Sequence, residues 1–186
     1  MAQLESSFQG KLILDSGKLA GSYFDRTVIL ICRHDESGAF GLALNRPLKH
    51  TLGSVMGEPL VDELARASLY SGGPVQPEAL SFLHETESRP EFDILTNLTL
   101  GHSLEELKKG FSSPELPMRV RAYAGYSGWS AGQLDHEMKA GCWITHPASV
   151  SLVFSPEPEI LWRRVLKEKG GLYCLIADCP ADPALN

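Results

Sequence analysis

The sequence predicts an α+β fold: one domain over residues 1–186, with mixed, largely antiparallel sheets and a few packed helices. Three observations carry this expectation. Strand-like segments come in hairpin groups interrupted by single helices, without the regular alternation of a doubly wound sheet. Turn residues such as Glu36-Ser37-Gly38 and Gly72-Gly73-Pro74 separate apolar runs. The 186 residues, 43% hydrophobic and 22% charged, suffice for one real core.

Taken in order, Lys11-Leu12-Ile13-Leu14 reads as the first strand and Ser16-Gly17 as a turn. Residues 28–32 are rich in β-branched side chains and read as a buried strand. Residues 39–44 are its hairpin partner. Asn45-Arg46-Pro47 ends that hairpin; Pro47 has a fixed φ and no N–H, and it pushes Arg46 into an extended conformation. Residues 51–58 suggest a short helix. Residues 69–71, 80–84 and 92–95 suggest strands, with Glu87-Ser88-Arg89-Pro90 between the last two. Ser103 and Glu106 have capping-box spacing for a helix that Gly110 would end, and Ser112-Ser113-Pro114 is a loop.

Residues 118–123 roughly alternate between apolar and polar and read as a strand. Gly125, Gly128 and Gly132 then follow within eight residues, which predicts a sharp turn or close packing. Ser130 and Gln133 have capping-box spacing for a helix, with Leu134 and Met138 facing inward and Gly141 as its C′ residue. Two short segments, 142–145 and 150–154, are strand candidates. Pro156 or Pro158 opens the last helix, with Leu161, Trp162, Val165 and Leu166 as its apolar stripe and Gly170 as its end. Residues 172–177 read as a final strand, and the tail as irregular.

The totals exclude some functions. Net charge is −6, which disfavours direct nucleic-acid binding, although Arg163, Arg164, Lys167 and Lys169 form a dense basic group. No run approaches the roughly 20 apolar residues of a membrane span. The N-terminus lacks the pattern of a signal peptide, so a cytoplasmic protein with reduced thiols is expected. The four cysteines and six histidines show no metal-ligand spacing, and the expectation is no metal and no cofactor.

Several residues invite chemistry. Gly125-Tyr126-Ser127-Gly128 falls one position short of a nucleophile elbow, and Ser127, with His136 or Glu137, is the hydrolase candidate. Histidines 34 and 136 sit among acidic neighbours and read as solvated polar patches. A strand, a glycine turn and a capped helix start present backbone N–H groups suited to an anion. Arg26, Asn45 and Arg46 flank strongly hydrophobic strands and fit either a ligand site or ion pairs with Asp25 or Glu78. The expected site therefore comprises Arg26, Asn45, Arg46, Gly125, Gly128, Ser130 and Gln133, binding a small anionic ligand or a protein partner.

The chain resembles the YqgE/AlgH family of bacterial proteins over nearly its whole length. The resemblance rests on Tyr23-Phe24-Asp25-Arg26-Thr27-Val28, on 38–47 ending in Asn45-Arg46-Pro47, and on Gly72-Gly73-Pro74-Val75. It continues through residues 125–134, Trp143, Leu161-Trp162-Arg163-Arg164-Val165-Leu166 and the Asp182-Pro183-Ala184-Leu185-Asn186 tail. It implies a compact α/β protein with mixed sheets and no transferable catalytic residues. Relatives carry labels of unknown function or transcriptional regulator. The chain shows neither a helix-turn-helix nor an arginine-rich recognition helix, so regulation would act through a ligand or another protein. A ligand- or protein-binding role leads; a hydrolase and a direct DNA-binding regulator are the alternatives.

Overall fold

The computed structural model describes residues 7–57, 59–85, 93–111 and 119–180. Its strands are β1 (Lys11–Asp15), β2 (Val28–Asp35), β3 (Gly38–Ala43), β4 (Pro47–Thr51), β5 (Ser68–Ser71), β6 (Val75–Glu85), β7 (Asp93–Leu95), β8 (Leu98–Gly101), β9 (Val120–Ser130) and β10 (Trp143–Pro147). The helices are α1 (Leu52–Val55), α2 (Asp62–Ala65), α3 (Leu104–Phe111), α4 (Gln133–Lys139), α5 (Val150–Val153), α6 (Leu161–Lys169) and α7 (Leu172–Asp178). A 3-10 turn, Pro158–Ile160, leads into α6.

The main strand order is β10-β1-β2-β3-β9-β6-β8-β7, with β5 against β9 and β4 against β5. Neighbours are antiparallel except β5 and β9, which run parallel. This is the expected α+β architecture with a mixed, largely antiparallel sheet. The long β9 is its hub, since it pairs β3 near its end and β5 and β6 nearer its start.

Strands β1 and β2 are apolar on both faces because both faces are covered. Leu12, Leu14, Val28 and Leu30 pack in one cluster with Leu161, Trp162, Val165 and Leu166 of α6. Ile13, Ile29 and Ile31 pack in another with Trp129, Leu134 and Trp143. A third cluster joins β5, β6 and β9 to Leu52, Leu64 and Leu107 of the first three helices. Each fully buried Leu or Ile stabilises by about 1.5–3 kcal/mol.

The hairpin of β2 and β3, the α6 stripe and the stop at Gly170 follow the sequence reading. So does Gly141, which follows α4 at φ 69°. Other elements differ. Residues 172–177 form helix α7, and 150–154 form α5 with Phe154 as its C-cap. Both are short apolar runs, for which strand and helix patterns overlap. Pro47 starts exposed strand β4, where its missing N–H costs little at a strand's first residue. Helix α3 runs through Gly110 to Phe111, although Ser103 does accept the Glu106 N–H as expected. The readings placed on 86–92, 112–118 and 181–186 lie outside the described residues.

The largest difference falls on the glycine stretch. Gly125 and Gly128 lie inside β9, which continues to Ser130. Gly125 has φ 69°, at the register break between β6 and β9. The N-cap of α4 is Gly132, not Ser130. Half of the expected reciprocal pair survives: the Ser130 N–H donates to Gln133 Oε1 at 3.1 Å. The Ser130 hydroxyl donates to that same oxygen, so it does not cap the helix.

Candidate functional site

The polar residues around the Asn45-Arg46 turn are built outward from Asp15. Asp15 is fully buried at the end of β1. Its carboxylate accepts the backbone N–H groups of Gly17 at 2.8 Å, Leu19 at 3.1 Å and Arg26 at 2.9 Å. This folds the 17–26 loop back on the strand. Its carbonyl accepts Trp162 Nε1–H at 2.9 Å, which ties α6 to the same point. Sequence reasoning missed Asp15; the signal was an Asp directly before Ser16-Gly17, a pattern that favours Asx turns.

Asn45 is 5% exposed and bridges two segments. Its Oδ1 accepts the Val28 N–H at 2.9 Å, and its Nδ2 donates to the Arg26 carbonyl at 2.8 Å. Arg46 holds the loop from the other side. Its Nη2 donates to the carbonyls of Tyr23 and Asp25 and to Thr27 Oγ1. Arg26 has φ 52°, which a non-glycine residue rarely adopts. Its guanidinium lies 5.2 Å from the Trp162 ring centroid and donates to the Cys179 carbonyl.

These three residues line one pocket of about 480 Å³, together with Asp25, Glu159 and Arg163. Arg163 is bridged to Asp178 at 2.6 Å. Among the described residues, Arg26 and Arg46 have no ion pair. The expected partners do not supply one: Asp25 offers Arg46 its carbonyl and not its carboxylate, and Glu78 pairs with neither arginine.

The other four expected residues lie elsewhere. Gly128 borders a separate groove of about 820 Å³, lined also by Arg33, Phe40, His102, Tyr126 and Trp129. Gly125, Ser130 and Gln133 line neither cavity. At the start of α4, Gln133 Oε1 is taken by Ser130 and Gln133 Nε2 donates to Glu137. The structure therefore joins Arg26, Asn45 and Arg46 and separates them from the glycine stretch.

Of the hydrolase candidates, Ser127 and Glu137 are engaged in packing, and His136 is exposed on α4. Ser127 is fully buried and donates its hydroxyl proton to the Gly72 carbonyl at 3.1 Å. Glu137 accepts Trp129 Nε1–H at 2.9 Å and Trp143 Nε1–H at 2.7 Å, pinning α4 to both indoles. His34 is buried and not solvated as expected, because β2 runs on to Asp35. Its Nδ1 accepts the Phe8 N–H, so Nε2 carries the proton and donates to Asp135 at 3.2 Å. The four cysteines are free, and burial pushes the Cys32 thiol far up. Among the described residues, no group of three or more His, Cys, Asp or Glu is placed to hold a metal ion.

The basic group on α6 is turned onto the chain's own acceptors. Arg163 and Lys167 both pair with Asp178, at 2.6 and 3.1 Å, and these cations hold its carboxyl below the usual range. Arg164 lies 3.7 Å from Glu168, and Lys169 donates to the Thr145 carbonyl. No helix among the described residues is long and apolar enough to cross a membrane.

Solved structures of similar fold are known. A crystal structure of a protein from Corynebacterium diphtheriae is similar, with a TM-score of 0.76 and 24% identity, covering 96% of this chain and 95% of that one. The solution structure of the AlgH protein from Pseudomonas aeruginosa is similar, with a TM-score of 0.70 and 26% identity, covering 97% of this chain and 99% of that one. Sequence relatives include UPF0301 proteins of Chlorobium luteolum, 41% identical over 95% of this chain and 94% of the relative, and of Chlorobaculum parvum, 38% identical over 95% of each. A family model described as DUF179, AlgH-like, matches residues 12–174. The chain belongs to this AlgH-like family, whose biochemical function is unknown.

Proposed function

We propose that this chain is a non-enzymatic cytoplasmic binding protein for a small anionic ligand, held at the pocket of Arg26, Asn45 and Arg46. The supporting observation is the pair of guanidiniums there. Both lie at one pocket of about 480 Å³, and among the described residues neither has a carboxylate partner. Asp25 and Glu159 also line the pocket, but neither carboxylate is paired with either guanidinium, so both cations stay available to an anion. Their geometry is fixed in advance: Arg46 is held by three acceptors, and Arg26 by the Trp162 ring and the Cys179 carbonyl. Preorganised donors lose little freedom when an anion arrives. Phosphate esters and carboxylates fit the flat donor fork of arginine. Any regulatory role of the protein would run through this ligand.

The test is a thermal-shift screen with inorganic phosphate, pyrophosphate, sugar phosphates and dicarboxylates. An anion at a hundredfold over its dissociation constant adds about 2.7 kcal/mol. For a chain of this size that raises Tm by several degrees, since each kcal/mol is worth about 2–4 °C. Arg26→Gln should abolish the rise. A rise that survives Arg26→Gln places the anion elsewhere and overturns the reading.

A further inference from the structure

We propose that the groove over Phe40 is a second binding site, for a small molecule that carries a flat aromatic ring and one anionic group. The groove measures about 820 Å³. Its floor is laid by strand register: Arg33 of β2 stands opposite Phe40 of β3, and Phe40 stands opposite Gly128 of β9. Side chains directly opposite one another share a face of the sheet. Arg33, Phe40 and position 128 therefore form one line across three strands, and Tyr126 lies on the same face two residues before Gly128.

Aromatic rings make the walls. The Phe40 and Tyr126 centroids are 4.9 Å apart at 31°, and the His102 ring meets Phe40 edge-on at 5.9 Å and 81°. Above this platform the groove stays open because position 128 has no side chain. A Cβ there would come within 3.1 Å of Tyr126 Cε2 and 3.9 Å of Val75 Cγ2. Gly128 does not have the positive φ that Gly125 has. Its backbone does not require glycine, and what glycine supplies here is space.

The polar lining selects charge. No Asp or Glu lines the groove, whereas Arg33 and His102 do. The Arg33 side chain is 65% exposed and only loosely paired with Asp35 at 3.4 Å. His102 Nδ1 is paired with Ser81 Oγ at 3.1 Å, which fixes the ring against Phe40. An aromatic platform with a few convergent polar groups is the usual anatomy of a small-molecule site. A ring stacked on Phe40 and Tyr126 would extend its anionic group to Arg33. The groove shares no lining residue with the Asn45-Arg46 pocket, so each site stands or falls alone.

The experiment is amide NMR with two ring-bearing anions, naphthalene-2-sulfonate and AMP, and with inorganic phosphate as the ringless control. At least one of the two should move the amides of Phe40, Tyr126 and Gly128, while phosphate leaves them in place. Gly128→Leu, in an exposed position, should abolish the response, and Arg33→Gln should weaken binding by about tenfold. If Gly128→Leu folds poorly, Arg33→Glu is the substitute, and charge reversal must remove binding. The proposal is overturned if neither anion moves these signals, or if the folded Gly128→Leu or Arg33→Glu variant binds like the wild type.

Discussion

The Asn45-Arg46 turn and the Phe40 groove spend their polar groups in opposite ways. At the turn, donors are used inside the chain: Asn45 bridges two backbones and Arg46 holds three acceptors. Across the groove, Arg33 is mostly exposed and the central position has no side chain. Charge at the turn is left over after the loop has been fixed, whereas charge at the groove lies on a face the fold does not otherwise use. An arginine beside a hydrophobic strand can thus be both a clamp and a cation, and only the destination of each N–H separates the two roles. Substitutions at the turn should therefore cost stability, and those at the groove should not.

The change with the largest expected effect lies beside the groove. A Cβ at Gly73 would lie 2.1 Å from the Tyr126 carbonyl carbon, where the chain crosses directly over β9. Gly73→Ala should cost more than about 4 kcal/mol and give little folded protein by circular dichroism. Next, Asn45→Ala leaves the Val28 N–H and the Arg26 carbonyl without partners. It should lose about 2–4 kcal/mol in urea unfolding, since each orphaned buried group costs about 1–3 kcal/mol. Arg33→Gln marks the other pole, with a change within about 0.5 kcal/mol because its side chain is solvated. An Asn45→Ala variant as stable as Arg33→Gln would break the comparison.

A smaller effect, outside both regions, serves as a control. Burial, then Lys169, lowers the His146 pKa from its ordinary 6.5, and its Nδ1 is buried without a hydrogen-bond partner among the described residues. The folded chain therefore binds a proton at His146 less readily than the unfolded chain does. Stability should fall as pH drops through about 6.5 and level off below the folded pKa. His146→Phe should flatten this part of the pH–stability profile measured by urea unfolding between pH 7 and pH 5. An unchanged slope would assign it to another group.

Much of the fold was legible where the local pattern and the tertiary outcome agree. The hairpin from Val28 to Ala43 and the stripe Leu161, Trp162, Val165 and Leu166 are examples. It was not legible at Leu172–Asp178, because a run apolar enough for a strand carries no periodicity to mark it as a helix. Gly125 and Gly128 misled for a different reason. Glycines that turn a chain and glycines that let a neighbouring backbone pass look alike in sequence, and Gly125 meets the Gly73 carbonyl at 2.6 Å from an added Cβ. At the site, the Asn-Arg-Pro unit was visible but its organiser, Asp15, was not. Its three backbone partners come from residues 17–26, and one of them depends on a loop that closes only in the fold.

The central claim is that the Arg26 and Arg46 guanidiniums form one anion site. Isothermal titration of pyrophosphate into the wild type and Arg26→Gln tests it most directly. One equivalent should bind the wild type, and the variant should bind at least about tenfold more weakly. No measurable binding by the wild type, or equal affinity in a folded Arg26→Gln protein, would contradict it.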